Sequence, residues 1–222
     1  MSEDRTILTI PSSAGVALEA HFEPSTFGLA TSASTLLCHP HPLQGGNMTS
    51  LVTSELFRIL PQGGISALRF NFRGVGASTG EHDFGKGESD DVVNAFSRLV
   101  DLTPESQTRV VVGWSFGADV SLSTPLNDRL PDSPCDGWIA IAPPLRFGTE
   151  PAAAARSGKP VLVILAEHDQ VRPAEDVARD VEGWPNTRVE VVGGADHFFA
   201  GRTKQVAELV EEFVTRMLSQ PE

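Results

Sequence analysis

Two stretches of the chain carry the pattern G-x-S-x-G: Gly76-Ala-Ser78-Thr-Gly80 and Gly113-Trp-Ser115-Phe-Gly117. The pattern suits a serine on a sharp turn from strand to helix. The glycines let the backbone turn without a Cβ clash, and the hydroxyl stands at a helix amino end whose dipole favours negative charge. With 20 glycines in the chain the bare pattern is weak, so context must decide. Arg109-Val-Val-Val-Gly reads as a strand entering Ser115, and Ala118-Asp-Val-Ser-Leu reads as a helix leaving it. Ser78 also follows a strand, but the segment after it, Glu81-His-Asp-Phe-Gly-Lys-Gly, is turn-like. Ser115 is therefore the expected nucleophile, and Ser78 is expected in a loop.

A serine hydroxyl attacks poorly until a base takes its proton, and that base is best a histidine oriented by a carboxylate. Of the six histidines, His197 has the right setting. It follows the strand-like Arg188-Val-Glu-Val-Val and the turn Gly193-Gly194, just before the last helix. His21, in an early hairpin, reads as structural or solvated, and His82 as a surface residue. The acid should come from another strand end. Val161-Leu-Val-Ile-Leu leads into Ala166-Glu-His-Asp169, where Glu167 and Asp169 compete. Asp169 is favoured because it lies further out, where a turn can aim it back at the histidine; His168 is a neighbour, not a base. Asp196 adjoins His197 in sequence, so the two rarely face each other, and it reads as solvated.

An oxyanion needs backbone N–H donors. One should be Phe116, directly after the serine. The other should come from Cys38-His39-Pro40-His41-Pro42-Leu43-Gln44-Gly45-Gly46-Asn47. Pro40 and Pro42 have no N–H, which leaves His41 and Leu43, with His41 preferred. His39 and His41 could form a metal pair, but they lack a nearby third ligand. No metal and no cofactor are expected, and a hydrogen-bonding role fits the His39 ring better.

These groups need a scaffold. Short β-branched runs place strands near 5–10, 15–22, 34–39, 65–72, 108–113, 137–142, 161–166 and 187–192. Helical spacing falls at 48–60, where Pro61 should stop the helix, at 88–101, and from Val206 to Leu218. The turn at Ser12–Gly15 makes the first two strands an antiparallel hairpin. Strand–helix–strand order from the third strand onward predicts an α/β fold: a mostly parallel twisted sheet of about eight strands in a three-layer α/β/α sandwich. Sites in such sheets lie beyond the carboxyl ends of the strands, where Ser115, Asp169 and His197 all fall. Residues 1–222 read as one domain.

Composition narrows the function. The 222 residues carry a net charge of −12, with 40 % hydrophobic and 21 % charged residues. That is ordinary for a chain with one sizeable core. The acidic excess argues against nucleic acid and against anionic lipid. The start, MSEDRTILTIP, lacks the basic and apolar regions of a targeting segment, so the cytoplasm is the expected location. Cys38 reads as a buried small hydrophobe and Cys135 as a loop residue, with a disulfide disfavoured. No heptad seam selects an oligomeric state.

Together the His39–Met48 stretch, Arg69-Phe-Asn-Phe-Arg-Gly-Val-Gly-Ala-Ser and the Gly113–Gly117 turn resemble a small lidless branch of the α/β-hydrolase serine hydrolases. That branch is related to the dienelactone-hydrolase-like and serine-aminopeptidase-like enzymes. The order Ser115, Asp169, His197 matches the order of that fold. Pro40 stands where the fold commonly has glycine, and Ala166 where the acid motif commonly begins with glycine. The resemblance implies a Ser-His-Asp hydrolase acting on a small-molecule acyl substrate and water. Serine at the elbow sets aside the aspartate- and cysteine-based subfamilies. About eighteen residues, Pro143 to Pro160, separate the sixth and seventh strands, too few for a cap. An open cleft is expected, with Leu43, Gln44, Phe116, Leu145, Phe147, Val171 and Phe198 as candidate lining. Small to medium carboxylic esters fit such a site; amides, peptides and thioesters stay open, as does a non-catalytic ligand-binding protein.

Overall fold

Runs such as Val161–Ala166 and Ala33–Cys38, apolar or small on both sides of the strand, belong in the middle of a parallel sheet covered on both faces. The computed structural model, which describes residues 6–27, 33–147 and 153–219, places them there. Eight strands form one sheet: β1 Thr6–Pro11, β2 Ala17–Glu23, β3 Ala33–Cys38, β4 Ile65–Phe70, β5 Thr108–Trp114, β6 Gly137–Ile141, β7 Val161–Ala166 and β8 Thr187–Val192. Their order is β1-β2-β4-β3-β5-β6-β7-β8. β1 and β2 pair antiparallel, as do β2 and β4; every other pairing is parallel. β2, near the edge, alternates buried and half-buried residues instead. Residue 5, where the sequence starts the first strand, lies outside the described residues.

The helices are α1 Leu51–Ile59, α2 Lys86–Leu102, α3 Phe116–Ser123, the single turns α4 Leu126–Arg129 and α5 Ala153–Arg156, then α6 Ala174–Val181 and α7 Thr203–Leu218. Alternate strand residues feed two cores. Leu36, Leu68, Val111 and Val163 pack with Val92, Phe96 and Leu99 of α2, with α3, and with Val177 and Val181 of α6. Leu37, Val110, Val112, Leu162 and Ile164 pack with Val52, Leu56 and Phe57 of α1 and with Val206, Val210, Phe213 and Val214 of α7. The result is the expected three-layer sandwich. Between β6 and β7 the described residues contain only the turn α5 and no cap; residues 148–152 of that connection lie outside the description.

Two details differ from the sequence reading. The first α-helix ends at Ile59, just ahead of Pro61 as expected, but the chain goes on into a 3-10 turn over Leu60–Gly63. A proline in the first turn of such a segment forfeits no needed N–H. Helix α6 gave no separate signal, since it is eight residues long and buries only Val177 and Val181. Both cysteines are buried free thiols; Cys135 sits 3.1 Å from the Gly137 carbonyl, and burial pushes its thiol up to about 12. Among the described residues no helix is long and apolar enough to cross a membrane.

A buried ion pair locks α2 to the loop after β4. Arg73 grips Asp91 through Nε at 3.0 Å and Nη2 at 2.8 Å, and its own N–H donates to the same carboxylate at 3.1 Å. Asp91 is fully buried. Removing one partner strands a buried charge. Asp91→Ala should therefore lower unfolding stability by about 3–5 kcal/mol in urea titration; a loss below about 1 kcal/mol, the range of an exposed pair, would show that the pair does not hold this junction.

Candidate active site

Ser115 sits between the end of β5 and the start of α3 with φ 55° and ψ −118°. An L-residue there is strained. The strain is held by close packing. A Cβ on Gly113 would lie 2.5 Å from the Ala118 Cα, and one on Gly117 would lie 2.5 Å from the His39 carbonyl oxygen. Neither glycine can be replaced without moving backbone. The Ser115 N–H donates to the Ile141 carbonyl at 2.8 Å, and the Ser115 carbonyl accepts from Ala118 and Asp119 as α3 begins. By contrast Ser78 lies in a loop, where its hydroxyl donates to the Asn71 carbonyl at 2.7 Å and accepts from the Glu19 N–H at 2.9 Å.

The chain brings Ser115, His197 and Asp169 together. His197 Nε2 lies 2.9 Å from Ser115 Oγ, and His197 Nδ1 lies 2.8 and 3.0 Å from the two Asp169 oxygens. Ser115 and His197 are 7 % and 5 % exposed, so the pair is shielded but reachable. Burial works against the charge on Asp169. The His197 ring and the N–H groups of Arg172 and Val171 outweigh it and hold the carboxyl below its ordinary value. Two contacts fix the histidine backbone: Trp114 Nε1 donates to its carbonyl at 3.2 Å, and its N–H donates to Gln170 Oε1 at 3.3 Å. Glu167 is used elsewhere, accepting from the Gly194 N–H at 2.7 Å. Asp196, read as solvated, shapes the next turn by accepting from Phe198 and Ala200.

The loop after β3 supplies the second donor position. His39 is wholly buried and uses both ring nitrogens. Nε2 accepts the Phe72 N–H at 3.0 Å, which makes Nδ1 the donor to the Pro40 carbonyl at 2.6 Å. Burial pulls its pKa down to about 4, against the opposing pull of that carbonyl. The Leu43 N–H is taken by His41 Nδ1 at 3.2 Å, so Leu43 is not a free donor. Among the described residues, the N–H groups of His41 and Phe116 meet no protein acceptor. The His41 ring lies 4.9 Å from Phe116 and from Phe147, and 5.1 Å from His82. His82 is not the surface residue expected: its side chain is 6 % exposed, 2.7 Å from the buried Glu88 carboxylate.

A cleft of about 310 Å³ opens over Ser115 and His197. Gln44, Val171 and Phe198 line it, with Pro40, His41, Ser50, Leu51 and Trp114 beside them. Leu43 does not; the 3-10 turn Pro42–Gln44 leaves it pointing outward, 68 % exposed. Phe147 does not either, because it packs behind the His41 ring. Its segment is held there by Asp119, whose carboxylate accepts the N–H groups of Leu145, Arg146 and Phe147 at 2.8 to 2.9 Å. Leu51 is a lining residue that the sequence reading did not single out; it is half exposed. Its place on the face of Glu55 and Arg58, four and seven residues on, was the available signal.

His39 yields a test by pH. Its folded-state pKa lies below the unfolded value, so between about pH 6.5 and pH 4 the unfolded chain binds a proton that the folded chain refuses. Its contribution is complete above that window and is lost as pH falls through it, by up to about 1.4 kcal/mol per pH unit. His39→Gln keeps an acceptor for Phe72 but cannot titrate. Urea unfolding at pH 7 and pH 5 should show a smaller acid-side loss in His39→Gln than in the wild type. Equal slopes would mean that His39 is not buried neutral.

No family model matches the chain. It is 31 % identical over 192 residues to the uncharacterised protein RP471 of Rickettsia prowazekii, which covers 83 % of this chain and 79 % of that one. An α/β serine hydrolase homologue from Coxiella burnetii is similar with a TM-score of 0.79 and 30 % identity, over 96 % of this chain and 98 % of the other. XC6422 of Xanthomonas campestris, an α/β serine hydrolase without a lid, is similar with a TM-score of 0.78 and 26 % identity, over 100 % and 99 %. With its sheet order, its strained turn at Ser115 and a cleft that no described residue caps, the chain belongs to the small lidless α/β hydrolases that these serine hydrolase homologues represent.

Proposed function

We propose that the protein cleaves carboxylic esters through an acyl-enzyme on Ser115. The observation that carries this reading is the 2.9 Å contact of Ser115 Oγ with His197 Nε2, beside two N–H groups without protein acceptors. In the first half-reaction Ser115 Oγ attacks the carbonyl carbon while His197 takes its proton. Asp169 holds the imidazole in the tautomer that leaves Nε2 free to accept. The developing oxyanion is held by the N–H groups of Phe116 and His41, at a helix amino end that adds its own favourable field. His197 then returns the proton to the departing alcohol. In the second half-reaction it activates water against the acyl group, and Ser115 is regenerated.

The cleft supports esters with small to medium acyl groups. Leu51, Trp114, Val171 and Phe198 give it apolar walls. Among the described residues nothing closes over it to exclude water or to grip a peptide. The acidic surface field works against strongly anionic substrates.

Aryl esters of graded acyl length, with amino-acid arylamides alongside, test this directly. The wild type should hydrolyse short and medium esters and leave the arylamides nearly untouched. Ser115→Ala should fall to background, and Asp169→Asn should lose on the order of 10⁴-fold in kcat. Phe198→Ala should raise KM for the longer acyl esters more than it lowers kcat. Ester hydrolysis that survives in Ser115→Ala, or arylamide turnover that outpaces it, would overturn the assignment.

A further inference from the structure

The loop that carries the His41 N–H is fastened at both ends to one stretch, Arg69 to Phe72. At its entry the Phe72 N–H holds His39 Nε2 at 3.0 Å. At its exit the Met48 N–H donates to Asn71 Oδ1 at 2.8 Å, and the Met48 carbonyl accepts from Arg69 Nη1 at 3.2 Å. Between these points the His41 carbonyl accepts the N–H groups of Gln44 and Gly46, both at 3.0 Å. The loop is thus a closed turn on two anchors, and the anchors set where the His41 N–H points.

Asn71 is 4 % exposed, and its amide is not free to turn. Asn71 Nδ2 donates to Glu19 Oε2 at 2.7 Å, and the same oxygen accepts the Ala77 N–H at 2.9 Å. A carboxylate only accepts, so the amide nitrogen must face Glu19 and the amide oxygen must face Met48. The backbone is held as well. The Asn71 N–H donates to the Glu19 carbonyl at 2.8 Å, and Ser78 Oγ bridges the Asn71 carbonyl and the Glu19 N–H. A Cβ on Gly76 would lie 2.5 Å from Glu19 Oε2. The first G-x-S-x-G copy, Gly76 to Gly80, therefore has its own task. Gly76 leaves room for the Glu19–Asn71 pair, Ala77 caps it, and Ser78 ties its two strands.

We propose that Asn71 is a positioning residue for the oxyanion hole, acting through Met48 on the His41 N–H, with Glu19 and the Gly76–Ser78 turn holding its amide in the working orientation. The inference rests on the hydrolytic reading above. It separates from a merely structural role in one respect. A structural residue changes how much enzyme is folded. A positioning residue changes the turnover of each folded site, because a misplaced donor acts on the transition state and hardly on substrate binding.

The experiment compares wild type, Asn71→Ala and Asn71→Asp. Each is titrated to completion with a fluorophosphonate to count reactive Ser115, and kcat and KM for p-nitrophenyl acetate are then expressed per labelled site. Asn71→Ala should lose about tenfold to a hundredfold in kcat per labelled site, with KM changed by no more than about twofold. Asn71→Asp keeps an acceptor for Met48 but sets a second carboxylate oxygen against Glu19. It should lose kcat in the same sense but by less, and it carries the comparison if Asn71→Ala does not fold. Wild-type kcat per labelled site in a folded Asn71 variant overturns the proposal while leaving the hydrolytic reading intact. A wild-type chain that neither labels nor hydrolyses overturns both.

Discussion

The site depends on the approach of two backbones. β5 turns into α3 at Ser115 so tightly, against the end of β3, that no side chain fits at Gly113 or Gly117. That contact forces Ser115 into a left-handed conformation, which is unfavourable for an isolated residue. The sheet sustains it. β5 lies between β3 and β6, buried on both faces, and the Ser115 N–H is tied to Ile141 of β6. One consequence is a hydroxyl set where His197 can reach it. Another is that the carbonyls of Cys38 and His39 lie against Gly117, so the loop carrying His41 is placed by the same contact.

Around this turn the support is layered. Asp169 and Gln170 both lie just past β7 and hold different atoms of His197, one the ring and one the backbone. Asp119, one turn into the helix that Ser115 starts, fastens the segment whose Phe147 ring backs His41. His39 and Asn71 pin the two ends of the His41 loop to the end of β4. Charge is handled locally: the buried carboxylates of Asp91, Glu88 and Asp119 each meet cations, imidazole or N–H donors. The site is thereby built from strand ends whose side chains and N–H groups are held in fixed orientations before any substrate arrives.

Much of this was legible in the residues. The eight strands fall within two residues of where β-branched runs place them; the central parallel strands, buried on both faces, leave continuous signals, and β2 leaves an alternating one. Ser115 could be preferred to Ser78 because a helical pattern follows it, Asp169 to Glu167 because it lies further past its strand, and His197 because it follows a strand and a glycine turn; in this topology such strand ends share one rim. What stayed hidden was side-chain direction. Leu43 and Phe147 flank the right loops but face away from the cleft, and Leu51 of the cleft was not singled out. His82 looks like a loop histidine until Glu88, six residues on, folds back on it. Asn71 gave no signal either, since its partners Glu19 and Met48 lie 52 and 23 residues away.

The most direct measurement is the intact mass of the protein after treatment with a fluorophosphonate, with Ser115→Ala treated in parallel. It asks for an activated serine and a working oxyanion hole without assuming any substrate. One covalent adduct on the wild type and none on Ser115→Ala is the expected result. No adduct on a folded wild type, or an equal adduct on both proteins, would contradict the role given to Ser115.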